Sequence, residues 1–226
     1  MKKAILLIHG FGGTPYEMQP VGRLAEKLGI KPIYAKLPGH GGNPFELEGI
    51  KAEDWIEYLV GLYSLIEADF DWISVCGLSL GALLAGILAK EKRPEKLILL
   101  APGVYPKRSA FLLAPFAGFI RGKLVKIADE SLNPESNIYV PLSSVKELWR
   151  VVRIFARSIE GIVSPTLVIQ GLSDEMVKIE SAYFVKKRLG EKARLVLIPG
   201  VAHVVTLDKN VDKTLGIVKE FLSWPR

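Results

Sequence analysis

One segment constrains this chain more than any other: Trp72-Ile73-Ser74-Val75-Cys76, a short apolar run, leads straight into Gly77-Leu78-Ser79-Leu80-Gly81 and then into a helical pattern from Leu80 to Lys90. The run is the length of a buried strand, and G-x-S-x-G between a strand and a helix is a turn that projects its serine outward. Glycines at 77 and 81 let strand and helix approach closely, and the strain of the turn is part of its use. Such a unit belongs in a sheet whose strands alternate with helices.

The rest of the chain repeats that alternation. Ala4 to Ile8 reads as a buried strand, Tyr16 to Leu28 as an amphipathic helix ended by Gly29, and Lys31 to Ala35 as a strand running into the turn-rich Leu-Pro-Gly-His-Gly-Gly-Asn-Pro. A helix over Ala52 to Ala68 precedes the strand at 72. Lys96 to Leu100, Thr166 to Gln170 and Arg194 to Ile198 are further strands, with helices around Ile179 to Leu189 and Val211 to Leu222. The expectation is a mostly parallel sheet of six strands with helices on both faces.

Between the fourth and fifth strands, roughly Pro102 to Val163 is too long for an ordinary connection. Its first half, Ser109 to Ile127, is apolar and then basic, and Ser143 to Ser158 has helical periodicity. It reads as a helical cap inserted into a single domain spanning 1–226. The length of 226 residues suits one such domain with a sizeable core.

Ser79 at a helix N-terminus faces unpaired N–H groups and the positive end of the dipole, which favours developing negative charge. Leu80 N–H is one expected oxyanion donor. Phe11 N–H is the second, from His9-Gly10-Phe11-Gly12-Gly13 after the first strand. Losing one such donor costs roughly 3 kcal/mol of transition-state stabilisation.

A serine hydroxyl needs a base to take its proton, and the chain offers His9, His40 and His203. His203 follows the last strand, on the same carboxyl edge as Ser79, and partners of a nucleophile elbow follow it in the order acid, then histidine. His9 then shapes the oxyanion loop and His40 packs a turn. Asp174 sits where the acid is expected, with Glu175 adjacent and Asp208 close to His203. Asp208 suits a turn or helix N-cap better.

Gly-Leu-Ser-Leu-Gly, His-Gly-Phe, Leu-Pro-Gly-His-Gly, Ser-Asp-Glu-Met and Val-Ala-His-Val-Val-Thr-Leu-Asp together resemble the small bacterial carboxylesterases related to monoacylglycerol lipases, within the α/β-hydrolase superfamily. The resemblance covers nearly the whole chain outside the cap. It implies an α/β-hydrolase fold, a triad of Ser79, Asp174 and His203, and hydrolysis of short- to medium-chain acyl esters or monoacylglycerols. Phe11, Leu80 and Met176 are the expected substrate-binding residues, and the apolar cap stretch reads as an acyl-binding wall first, with core packing and a membrane-facing surface as alternatives that do not exclude it.

The same triad also serves thioesterases, amidases and acyltransferases, and a hydrolase pocket can hold an apolar ligand without chemistry. No Cys/His cluster, Walker loop or dinucleotide fingerprint appears in the right context, so no metal, nucleotide or organic cofactor is expected. A net charge of +6 is spread along the chain and interleaved with Glu, which argues against nucleic acid as a partner. Cys76, the one cysteine, reads as a buried apolar residue and Trp55 as a core anchor. The N-terminal apolar stretch is too short for a signal peptide, and 110–120 falls short of the ~20 residues of a membrane span. The expected location is cytoplasmic. Oligomeric state, a homodimer included, is left open.

Overall fold

The computed structural model describes residues 1–107, 123–126 and 139–224. Six strands form one parallel sheet in the order β2-β1-β3-β4-β7-β8: β1 Lys3–Ile8, β2 Lys31–Ala35, β3 Trp72–Leu78, β4 Lys96–Leu100, β7 Thr166–Gly171 and β8 Ala193–Ile198. Because helices cover both faces, the central strands carry no polar-apolar alternation: every residue of β3, β4 and β7 is buried. Alternation survives only as a choice of core. Ala4, Leu6 and Ile8 join the core under α2 (Ala52–Asp69), α3 (Leu80–Lys92), α4 (Leu142–Ser158) and α5 (Glu180–Leu189). Ile5 and Leu7 join the opposite core, under α1 (Gln19–Lys27) and α6 (Val211–Ser223).

The order of strands places the site. From β1 the chain steps to β2 on one side and then crosses to β3 on the other, so β1 and β3 flank the point where the winding reverses. A crevice opens there at the carboxyl ends of the strands, between the loop after β1 and the turn after β3.

Several boundaries differ from the sequence reading by a few residues at most, and two of these differences have a clear physical cause. The first helix was expected from Tyr16, but Pro15–Met18 is a 3-10 turn and α1 begins at Gln19. Pro20 accounts for this: lacking an N–H and crowding the preceding turn, it is accommodated only in the first turn of a helix. β3 runs to Leu78, two residues further than expected, because its ladder to β4 continues through Leu78 opposite Leu100.

The insertion divides into unlike parts. The apolar stretch 110–120, expected to form a cap wall, lies outside the described residues. A short antiparallel pair, β5 (Leu124–Lys126) with β6 (Tyr139–Pro141), was not foreseen. α4, expected from Ser143, is built into the main body: Val145, Val151 and Phe155 are fully buried, and a Cβ on Gly86 of α3 would stand 2.4 Å from Phe155 Cε2. Glu147 of α4 also accepts the Ala52 N–H at 3.2 Å, placing a carboxylate on the N-terminus of α2, and Arg150 joins Glu147 to Glu53. Among the described residues no helix is long and apolar enough to cross a membrane.

Candidate active site

The turn after β3 is strained and tightly enclosed. Ser79 has φ 55° and ψ −110°, outside the regions open to an ordinary side chain, at a cost on the order of 1–3 kcal/mol. The flanking glycines make this turn possible. A Cβ on Gly77 would stand 2.1 Å from the Gly81 carbonyl oxygen, and one on Gly81 would stand 2.2 Å from the Ile8 carbonyl oxygen. Strand β3, helix α3 and the end of β1 thus meet backbone to backbone, with the Ser79 side chain at the apex. It is partly exposed amid buried neighbours.

His203 lies in the loop after β8 and is 7% exposed, and the structure brings Ser79 and Asp174 to its two nitrogens. Ser79 Oγ is 2.9 Å from Nε2, and Asp174 Oδ2 is 2.8 Å from Nδ1. A carboxylate only accepts, so Nδ1 carries a proton and the neutral ring offers its Nε2 lone pair to the serine hydroxyl.

Asp174 is held by four donors. Met176 and Val177 N–H groups donate to Oδ1 at 2.8 Å each, and Gln170 Nε2 at 2.6 Å shares Oδ2 with His203. Burial opposes the charge on Asp174. The His203 charge and hydrogen bond and the two backbone donors outweigh it, and its pKa falls below the ordinary carboxylate value. His203 is balanced the same way in reverse: burial opposes its protonation, but Asp174, then Glu175 and Glu17, raise its pKa.

The two alternative acids take other places. Glu175 accepts the His203 backbone N–H at 3.4 Å, and Asp208 accepts the N–H groups of Ala202 and Asn210 at 2.9 and 2.7 Å, which is turn chemistry. Met176 contributes its backbone to Asp174 while its partly buried side chain packs against the larger core. Cys76 is buried, which pushes its thiol pKa up and leaves it unreactive.

The loop after β1 is oriented by its own histidine. Leu37 N–H donates to His9 Nε2 at 3.1 Å, so the ring proton is on Nδ1, which donates to the Gly10 carbonyl at 2.9 Å. Gly13 N–H binds the same carbonyl at 3.2 Å. In a trans peptide the N–H points away from the carbonyl, so holding Gly10 C=O toward His9 turns Phe11 N–H the other way. Leu80 N–H, at the first position of α3, has no helical carbonyl four residues behind it. The Phe11 ring meets Trp55 and His40 edge-on at 6.2 and 6.0 Å. Trp55 is fully buried and donates to the Pro38 carbonyl at 3.0 Å, the core anchor expected of it.

Three residues at the site went unnoticed in the sequence. Gln170 and Glu17 are buried beside Asp174 and Gly10, and the Lys107 ammonium rests on the Asp174 carbonyl. A glutamine ending the apolar run Thr-Leu-Val-Ile was a legible signal, because a polar side chain in a buried strand needs a partner.

The family model described as the alpha/beta hydrolase family matches residues 5–215. A carboxylesterase of Bacillus subtilis (strain 168) is 26% identical, over 97% of this chain and 92% of its own length. A thermostable monoacylglycerol lipase of Bacillus sp. (strain H-257) is also 26% identical, over 97% and 90%. Among solved structures, one from a study of the metagenome-derived lipolytic enzymes LipS and LipT superposes with a TM-score of 0.87 at 21% identity, over 98% of this chain and 93% of that one. The monoacylglycerol lipase of Paleococcus ferrophilus gives 0.80 at 17%, over 97% and 93%.

Proposed function

The chain belongs to the α/β-hydrolase family, and on that premise we propose that it is a serine carboxylesterase, hydrolysing short- to medium-chain acyl esters or monoacylglycerols through an acyl-enzyme. The observation that carries this reading is the chain of contacts from Ser79 Oγ to His203 Nε2 at 2.9 Å and from Nδ1 to Asp174 at 2.8 Å, at the apex of a strained turn. The relatives named carboxylesterase and monoacylglycerol lipase support an ester as the bond attacked.

In this reading Ser79 Oγ attacks the ester carbonyl carbon as its proton passes to His203 Nε2. Asp174 holds the imidazolium, and the carbonyl oxygen, now negative, is met by the N–H groups of Phe11 and Leu80. The imidazolium gives its proton to the departing alkoxide, leaving an acyl group on Ser79. Water, giving a proton to the same His203, then attacks the acyl carbon; the bond to Ser79 Oγ breaks, that oxygen takes the proton back from His203, and the acid is released. Phe11, Leu80 and Met176 are the proposed substrate contacts.

The test is hydrolysis of p-nitrophenyl esters of graded chain length by wild type and Ser79→Ala, together with mass spectrometry after fluorophosphonate treatment. The expected result is turnover by wild type only and one adduct, on Ser79. An unlabelled, inactive wild type, or faster turnover of matched thioesters or amides than of esters, would overturn the reading.

A further inference from the structure

The mechanism above leaves one buried acid unexplained. Glu17 lies on the 3-10 turn Pro15–Met18 and is 5% exposed, close to where negative charge develops. A carboxylate there opposes the oxyanion, so its retention calls for a compensating role.

Its contacts indicate that role. Glu17 Oε2 accepts the Gly10 N–H at 2.9 Å. The Gly10 carbonyl is held by His9 Nδ1 and Gly13 N–H, so both peptides flanking Gly10 are bound. The carboxylate also fills the space that side chains at the two glycines would take. A Cβ on Gly13 would stand 2.3 Å from each of its oxygens. One on Gly10 would lie 3.3 Å from Oε2 and 3.6 Å from Ser79 Cβ, so the carboxylate backs onto the nucleophile across a single glycine.

We propose that Glu17 is a positioning residue: its carboxylate locks the His9–Gly10 peptide and, with the next peptide held through the Gly10 carbonyl, aims Phe11 N–H at the oxyanion, while its negative charge stands across Gly10 from Ser79 and the ring bound to it. The proposal rests on the reading of Ser79 and His203 as nucleophile and base. The other groups around His203 are Asp174 at Nδ1, Glu175 at its backbone N–H and the Ser79 hydroxyl. Lys107 sits behind Asp174 and Asp208 binds the adjacent Ala202 N–H. Glu17 is separated from Ser79, the hydroxyl partner of His203, by Gly10, and its charge is among those that raise the His203 pKa.

The experiment compares wild type, Glu17→Ala and Glu17→Gln in the full chain, by the pH profile of p-nitrophenyl butyrate hydrolysis and the rate of fluorophosphonate labelling. Alanine removes the acceptor for Gly10 N–H, and kcat and the labelling rate are expected to fall about 10- to 100-fold with KM changed less than about threefold. Glutamine keeps an acceptor oxygen and loses the charge. It is expected to recover most of the turnover lost in the alanine variant, with the acidic limb of kcat/KM displaced to lower pH. A glutamine variant whose limb coincides with that of wild type, or an alanine variant with wild-type kcat, overturns the proposal. If alanine prevents folding, the limb of the glutamine variant decides alone. If wild type is neither active nor labelled, the serine hydrolase reading fails; if it is both and the Glu17 variants match it, only the role of Glu17 fails.

Discussion

Replacing Gly81 by alanine should separate the two walls of the crevice, and the size of the effect follows from the backbone. The added Cβ would lie 2.2 Å from the Ile8 carbonyl oxygen and 2.5 Å from that of His9. Both obstacles are main chain in the most buried part of the sheet, so no rotamer change relieves the clash. Reaching van der Waals separation requires α3 and the end of β1 to part by about 1 Å. Ser79 rides on α3 and Phe11 on the loop leaving β1, so that same displacement opens the distance between the proposed nucleophile and the proposed oxyanion donor. A misplacement of this size costs on the order of 100-fold in rate, and overpacking costs about 1–3 kcal/mol of stability. The control is Gly61→Ala, exposed on α2 with nothing within 4 Å of the new Cβ, which should gain about 0.5–1 kcal/mol and leave kcat alone. Urea unfolding and steady-state hydrolysis of a p-nitrophenyl ester read both quantities. If Gly81→Ala kept kcat within about threefold of wild type, the close approach of backbones would not be what positions Ser79.

Gln170→Met removes one of two donors from Asp174 Oδ2. The oxygen then serves His203 alone, so the acidic limb of kcat/KM should move to higher pH, and kcat should fall about tenfold as the carboxylate loses an anchor. Lys96 is 4% exposed at the opposite end of the sheet from Ser79, and its ammonium donates to the carbonyls of Phe221, Leu222 and Trp224, closing the C-terminus of α6. Lys96→Met should therefore lower stability by about 2–4 kcal/mol in urea unfolding with kcat unchanged, whereas equal losses of both would contradict the assignment. His9 and His40 have folded pKa values lowered to about 3 and about 4, chiefly by burial. Their neutral forms stabilise the fold fully above the unfolded value of 6.5, and that contribution is lost as pH falls below it. Unfolding free energy should decline between about pH 6 and 4.5 at up to about 1.4 kcal/mol per pH unit for each histidine, and a flat profile there would refute their burial as neutral rings.

The meeting of Ser79, Asp174 and His203 was legible where a motif and a topological position agreed. Ser79, Asp174 and His203 each follow a strand whose apolar run is easy to read, and parallel strands bring their carboxyl ends to one edge whatever lies between. What stayed hidden was set by contacts across that edge. Nothing near Glu17 in sequence shows that it reaches back to Gly10, and Gln170 acquires its partner only because β7 ends beside the loop carrying Asp174. The insertion was misleading in a different way. The periodicity of 143–158 is that of any amphipathic helix, and it could not say that its apolar face packs on α3. The bulk of Phe155 meeting the missing side chain of Gly86 decides that, a complementarity between positions far apart in the chain.

The three histidines show how one side chain is assigned opposite tasks by its surroundings. His9 and His40 are enclosed by each other, Phe11 and Trp55, where burial favours the neutral ring and each would repel a charge on its neighbour. A neutral His9 can both donate to Gly10 and accept from Leu37, which an imidazolium could not do. His203 is just as enclosed, yet its neighbours are carboxylates, and its protonated form is favoured. In the proposed mechanism the base must gain a proton in the first half of the reaction, while the ring that holds the proposed oxyanion loop must not change charge as the pH or the substrate does. The difference between these proposed roles lies in whether aromatic rings or carboxylates line the cavity, and this connects Glu17 to both: the same carboxylate that binds the loop held by His9 lies among the charges that raise the His203 pKa.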